Sequence, residues 1–154
     1  MTGAAFARGA SKQDYGTPRS FLDAVEARFG KIVFDLAAHS KNKVVPRHFG
    51  PGGEKEDALV EDWAKCPKGN LWLNPPFNDL APWVKKCAAT LGRSILFLMP
   101  ASVGSNWFAE HVDGKAWVYF IRPRLSFDGK NPYPNDCLLA VYGDEPGYEC
   151  WRYV

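Results

Sequence analysis

The stretch Leu71-Trp72-Leu73-Asn74-Pro75-Pro76-Phe77 constrains this chain more than any other. Leu, Trp and Leu in succession fit a pleated, buried surface, so the run reads as a strand. Pro75 and Pro76 have no N–H to extend a ladder, and the chain must leave the sheet at Asn74. Each ring fixes its own φ and pushes the residue before it towards extended backbone, which holds the carbonyls of Asn74 and Pro75 in set directions. Asn74 adds a side-chain carbonyl, and Phe77 adds a planar apolar face.

Such a cluster of acceptors suits an amine whose lone pair is delocalised, as in the exocyclic amino group of a nucleobase. Two acceptors on its hydrogens, the Asn74 side chain and the Pro75 carbonyl, would draw the nitrogen towards tetrahedral geometry and localise the pair. Phe77 would stack on the base, with Pro76 as an apolar wall. The same residues also suit a helix start, with Asn74 as N-cap and proline in the first turn, so the motif alone leaves both readings open.

At 154 residues the chain can bury most of its unfolded surface in one core. Residues 1–14 lack periodicity and are expected to form a mobile tail ahead of a single domain over residues 15–154. Met1 to Tyr15 has no apolar centre of the kind a signal peptide carries, and no run of about eighteen apolar residues occurs. Cys66, Cys87, Cys137 and Cys150 form no Cys-x-x-Cys pair, which argues against a zinc site and a disulfide framework. His39, His48 and His111 are scattered without ligand spacing, and no metal is expected. A cytoplasmic protein with reduced thiols follows from these features.

Thr17-Pro18 reads as a helix start, with Thr17 as N-cap; Phe21, Leu22, Val25 and Phe29 follow at helical spacing, and Gly30 is a stop. Lys31 to Phe34 is a short strand ending on Asp35, at the edge where open α/β sheets bind ligands. Ala37 to Gly53 reads as loop with a short strand at Val44-Val45. Beyond Phe77, Asn78-Asp79 should cap a helix that presents Leu80, Trp83, Val84 and Cys87 on one face. Ser94 to Met99 is a buried strand stopped by Pro100, a short helix spans Trp107 to Val112, and strands cover Ala116 to Ile121 and Cys137 to Tyr142. Alternating strands and helices predict an α/β layered sheet, mostly parallel, with an antiparallel edge.

The net charge of +2 is too small to identify a partner, but its distribution is uneven. Lys41, Lys43, Arg47 and His48 crowd one loop, and Arg122, Arg124 and Lys130 crowd another. Both loops suit phosphate contacts, but solvated surface charge is the more common explanation of either one.

Taken in order, Thr17-Pro18, Phe34-Asp35-Leu36-Ala37-Ala38 with Asn42, Asp57-Ala58-Leu59, Asp62-Trp63, Leu73-Asn74-Pro75-Pro76-Phe77, Leu98-Met99-Pro100-Ala101 and Arg124-Leu125-Ser126-Phe127 resemble the small phage-type, Dam-like DNA N6-adenine methyltransferases. The resemblance covers about residues 15 to 142. It implies a Rossmann-like sheet, S-adenosylmethionine as cofactor and DNA as partner. It also implies that Asn74, Pro75, Pro76 and Phe77 hold the target adenine and carry the catalysis. Asp35, Ala37 and Ala38 match the cofactor loop, Thr17 and Pro18 the methionine end of the cofactor, and Asp57 and Leu59 the surroundings of its adenine. Arg124 and Phe127 match a segment lining the target pocket, with Lys43 and Arg47 as further DNA contacts.

Two departures stand out. Alanines replace the Gly-rich turn common after the first strand, and Phe77 stands where Tyr is frequent, losing a hydroxyl and keeping the stacking face. The implied reaction is direct in-line methyl transfer to the amino group of a flipped adenine. Cytosine, an RNA base or a protein glutamine are alternative amine acceptors, and an inactive nucleic-acid-binding module is an alternative of another class. With no separate target-recognition domain, a short or relaxed DNA sequence preference is expected. Nothing in the sequence sets an oligomeric state.

Overall fold

The computed structural model describes residues 16–154; the tail expected over residues 1–14 lies outside them. Helix α1 (Arg19–Phe29) leads into β1 (Ile32–Asp35), and β2 (Asn70–Leu73) is followed by α2 (Ala81–Ala89). Strand β3 (Ile95–Pro100), helix α3 (Asn106–His111), β4 (Trp117–Arg122), β5 (Cys137–Tyr142) and β6 (Gly147–Arg152) complete the order. The six strands form one sheet in the order β1-β2-β3-β5-β4-β6.

The sheet is mixed, which corrects the expectation of a mostly parallel sheet with an antiparallel edge. β1–β2, β2–β3 and β4–β6 pair parallel, while β5 runs against both of its neighbours from inside the sheet. The edge beyond β4 is β6, an element absent from the sequence reading. Glu149, Cys150 and Arg152 interrupt the apolar alternation of Gly147–Arg152, so the segment lacks a strand signature. It is held by its parallel register on β4, from Trp117 opposite Gly147 to Arg122 opposite Arg152.

Period-two alternation sorts the core onto two faces, with an irregularity between Ile32 and Phe34 putting those two residues of β1 on opposite sides. Phe34, Leu71, Leu73, Ile95, Phe97, Met99, Val118, Leu138 and Ala140 pack with Val84 and Cys87 of α2 and Phe108 of α3. Ile32, Trp72, Leu96, Leu98, Leu139 and Val141 pack on the opposite face with Phe21, Leu22 and Val25 of α1. Phe21, Val25 and Trp72 are each at most 1% exposed, and α1 meets the sheet through Phe21 against Trp151 of β6 at 5.7 Å and Phe29 against Tyr119 of β4 at 5.2 Å. Truncating a side chain of that size and burial typically costs about 3–5 kcal/mol.

Several local expectations change. Pro18, not Thr17, is the N-cap of α1, and it lacks a capping side chain; Phe21 and Leu22 donate to its carbonyl instead. Helix α2 starts behind Leu80 with Pro82 in its first turn, without an Asn78 or Asp79 cap. Val44-Val45 is not a strand; the neighbour of β1 is the segment around His48, through a single bridge to Asp35. Asp57 and Asp62 each cap a 3₁₀ turn, Ala58–Val60 and Trp63–Lys65, by accepting from the Leu59 and Ala64 amides. Arg93 clamps the second turn by donating to the carbonyls of Trp63, Ala64, Cys66 and Pro67.

Candidate active site

The carboxyl ends of β1, β2 and β3 share one edge of the sheet, and β4 runs the same way. Asp35, Asn74, Pro100 and the loop after Arg122 therefore gather on one side of the molecule. Strand register brings Asp35 opposite Trp72, two residues before Asn74. The prolines then do what their chemistry requires: β2 ends at Leu73, Pro75 is buried, Pro76 is exposed and no helix begins at Asn74. The helix-start alternative for this motif is thereby removed.

Asn74 Nδ2 donates to Thr17 Oγ1 at 2.8 Å, a contact between half-buried side chains that are 57 positions apart. No donor among the described residues engages Asn74 Oδ1 or the Pro75 carbonyl. Both acceptors are left available beside Phe77. The Phe77 ring packs edge-on against Phe127 at 6.2 Å and Tyr133 at 5.9 Å, and those two rings meet at 5.4 Å. Tyr133 is a member of this aromatic group that the sequence reading missed. A signal existed in Asn131-Pro132-Tyr133-Pro134, where flanking prolines stiffen an aromatic residue within a polar loop.

A small cleft of about 20 Å³ opens beside this cluster, lined by Gly16, Thr17, Asp35, Ala37, Asn42, Val44, Trp72 and Asn74. The Asp35 carboxylate, 2% exposed, accepts from Ala37 N at 3.2 Å and Val44 N at 3.0 Å. Burial pushes its pKa up to about 7, and the two amides only partly oppose that rise. Asn42 accepts from the His39 amide at 2.9 Å, which folds the loop onto itself. Ala38 N donates to the Phe49 carbonyl at 3.0 Å, which ties the loop to the chain's own neighbouring segment.

The remaining expected residues are more dispersed. Asp57 and Leu59 lie in the first 3₁₀ turn, with the Asp57 carboxylate engaged as its cap. Lys86 reaches the Leu59 carbonyl at 3.0 Å and fastens that turn to α2. Trp63 is core, 1% exposed, with its indole N–H on the Ala58 carbonyl. Arg124 pairs with Asp136 at 2.8 Å, Arg47 forks onto Glu54 at 2.7 and 2.9 Å, and Lys43 donates to the Ser40 carbonyl. These groups are exposed, and solvent screens such pairs enough that exchange for another anion costs little. His48, grouped by sequence with the basic loop, is instead buried, with Nδ1 against the Pro46 carbonyl at 3.2 Å.

All four cysteines are free thiols, and burial raises Cys66 to about 11 and Cys137 to about 12, which suits packing better than nucleophilic chemistry. Among the described residues no group of three His, Cys, Asp or Glu side chains is placed to hold a metal ion, and no helix is long and apolar enough to cross a membrane.

The architecture and the site together define an α/β protein with a rigid acceptor cluster and an aromatic group at the carboxyl edge of a mixed sheet. Comparison with known proteins places it more narrowly. The family model for DNA N-6-adenine-methyltransferase (Dam) matches residues 7–142, and the chain belongs to that family. It is also 30% identical over 136 residues to a DNA N-6-adenine-methyltransferase of Escherichia phage T1. That match takes in 86% of this chain and 55% of the relative, so the chain spans about half the length of the curated protein it resembles.

Proposed function

We propose that the protein transfers a methyl group from S-adenosylmethionine to the exocyclic amino group of adenine in DNA, acting directly on a flipped base within a Rossmann-like scaffold. The observation that carries this reading is the Asn74 amide, whose N–H₂ side is spent on Thr17 while Oδ1 and the Pro75 carbonyl stay open next to Phe77. Two acceptors in that relation hold both hydrogens of an aromatic amine and favour the pyramidal nitrogen of the transition state. Oriented acceptors of this kind act by electrostatic preorganisation, and no covalent intermediate on the protein is required. Phe77 supplies a stacking face, worth about 1–3 kcal/mol per base. Phe127 and Tyr133 brace that face from the loop after β4.

The cleft residues fit the cofactor in position and chemistry. Asp35 offers a carboxylate to a cationic group, and Thr17 and Asn42 complete a polar lining. Bound S-adenosylmethionine supplies an electrophilic methyl group on a sulfonium. Asp57 and Leu59 are assigned to the cofactor's adenine, and Pro18 supports the methionine end. Arg124, Lys43 and Arg47 are assigned to DNA phosphates.

Incubation with methyl-tritiated cofactor and DNA, RNA or protein, followed by nucleoside analysis, tests the proposal. Label in N6-methyladenine from DNA is expected, and label confined to cytosine, RNA or glutamine overturns it. Asn74→Ala is expected to lower turnover by about 10²–10³-fold, in line with losing one preorganised polar group, while cofactor binding measured by calorimetry stays nearly unchanged.

A further inference from the structure

We infer that the turn after β3 is a wedge, with Val103 at its tip, that enters the DNA base stack and holds open the place of the flipped adenine. This inference rests on the reading of the site as one that acts on a flipped base in DNA. A base leaves the helix only by giving up its stacking and pairing. Proteins that unstack DNA do so with an apolar side chain, since a polar group would lose its water between base pairs.

A lone exposed valine is ordinary on a protein surface; the support and the place of Val103 single it out. It is 58% exposed, between exposed Ser102 and Gly104. Beyond the chain neighbours, nothing lies within 4 Å of where a Cβ on Gly104 would stand, so the turn projects as a thin prong. The prong is held by its own backbone. Ser102 N donates to the Pro100 carbonyl at 2.8 Å, Val103 N to that of Ala101 at 2.9 Å, and Ser105 N and Oγ both to that of Ser102, at 3.1 and 2.7 Å. Its base is fixed too: Ala101 N donates to the Asp136 carbonyl at 2.9 Å, and Ser105 caps α3.

Sheet order gives the prong its place. β3 has β2 and then β1 on one side, β5 and then β4 on the other. Its carboxyl end is thus about 10 Å, two strand spacings, from each of the strands that lead into the two basic loops. Leu73 lies opposite Phe97, so the Asn74 turn leaves the sheet one strand away. A duplex whose phosphates meet both basic loops brings its base stack over the middle of that edge, where Val103 projects.

Methyl transfer by wild type, Val103→Ser and Val103→Leu is measured on two duplexes that share one methylated site, with the target adenine facing thymine in one and an abasic site in the other. The abasic duplex has little need of a wedge, because its target has no pairing to lose. Val103→Ser is expected to lower kcat/KM about tenfold on the paired duplex and less than about threefold on the abasic one, while Val103→Leu stays near wild type on both. With 2-aminopurine at the target position, the fluorescence rise on binding reports unstacking, and a smaller rise is expected for Val103→Ser. A loss that is equal on the two duplexes, or less than about threefold on the paired one, overturns the inference, as does an undiminished fluorescence rise. In each of these cases wild-type methylation of DNA stands and only the role of Val103 is lost. A wild type that methylates neither duplex and gives no fluorescence rise removes the reading of the site, and this inference with it.

Discussion

Asp35 shows how a single residue at the sheet edge joins stability to the site. Its carboxyl sits at about 7 against an ordinary 3.8, because burial opposes its charge more than the Val44 and Ala37 amides favour it. The folded chain therefore holds this proton more tightly than the unfolded chain. The contribution to stability is complete below about 3.8 and is lost as the pH rises through about 7. Asp35→Asn cannot ionise, so the melting temperature of the wild type relative to this variant is expected to fall between about pH 4 and about pH 7. A constant difference across that range would contradict the raised carboxyl. Asn74 lies beside this group in the same cleft, and its importance is of another kind: its Oδ1 has no donor among the described residues.

At the scale of elements, the cleft is shaped by the loop after β1 and by the segment that crosses it. Gly50 has φ +122°, and a Cβ there would lie 1.8 Å from the Ala38 carbonyl oxygen. Only glycine permits this approach, in which Phe49 and Ala38 are joined by hydrogen bonding. Gly50→Ala is expected to destabilise the fold by about 2–4 kcal/mol, read as a lower urea midpoint at an unchanged m-value. A midpoint equal to that of the wild type would show that the crossing is not needed. The β5–β6 connection uses the same device, since Gly143 has φ +103° and a Cβ would lie 2.5 Å from the Arg93 carbonyl. Neither requirement is visible in hydrophobic periodicity.

For the molecule as a whole, sheet direction places both basic loops at the edge that holds Asn74, one following β1 and the other following β4. If these loops meet phosphates, the affinity for DNA falls steeply with salt, and each lost contact lowers the slope of log K against log salt by about one. Lys43→Ala is expected to do so, since among the described residues Lys43 has only a carbonyl partner. Arg47→Ala is expected to change the slope less, because Glu54 already neutralises that guanidinium in a forked pair. Equal slopes for wild type and Lys43→Ala in fluorescence anisotropy titrations would remove this loop from the interface.

What the sequence determined by itself was local. Leu71 to Phe77 dictated a buried strand broken at Asn74, because proline has no N–H and fixes its φ, and unbroken apolar runs located β3 and β5. The order of the motifs also pointed to the family that the comparisons confirm. Tertiary structure decided everything that depends on residues far apart in the chain. The inward place of β5 and the strand at Gly147–Arg152 come from pairing across the sheet, which carries no signature within a single segment. Thr17 was legible as a polar residue before a helix, but its partner was not. Only the tertiary fold brings its hydroxyl to Asn74, 57 residues away.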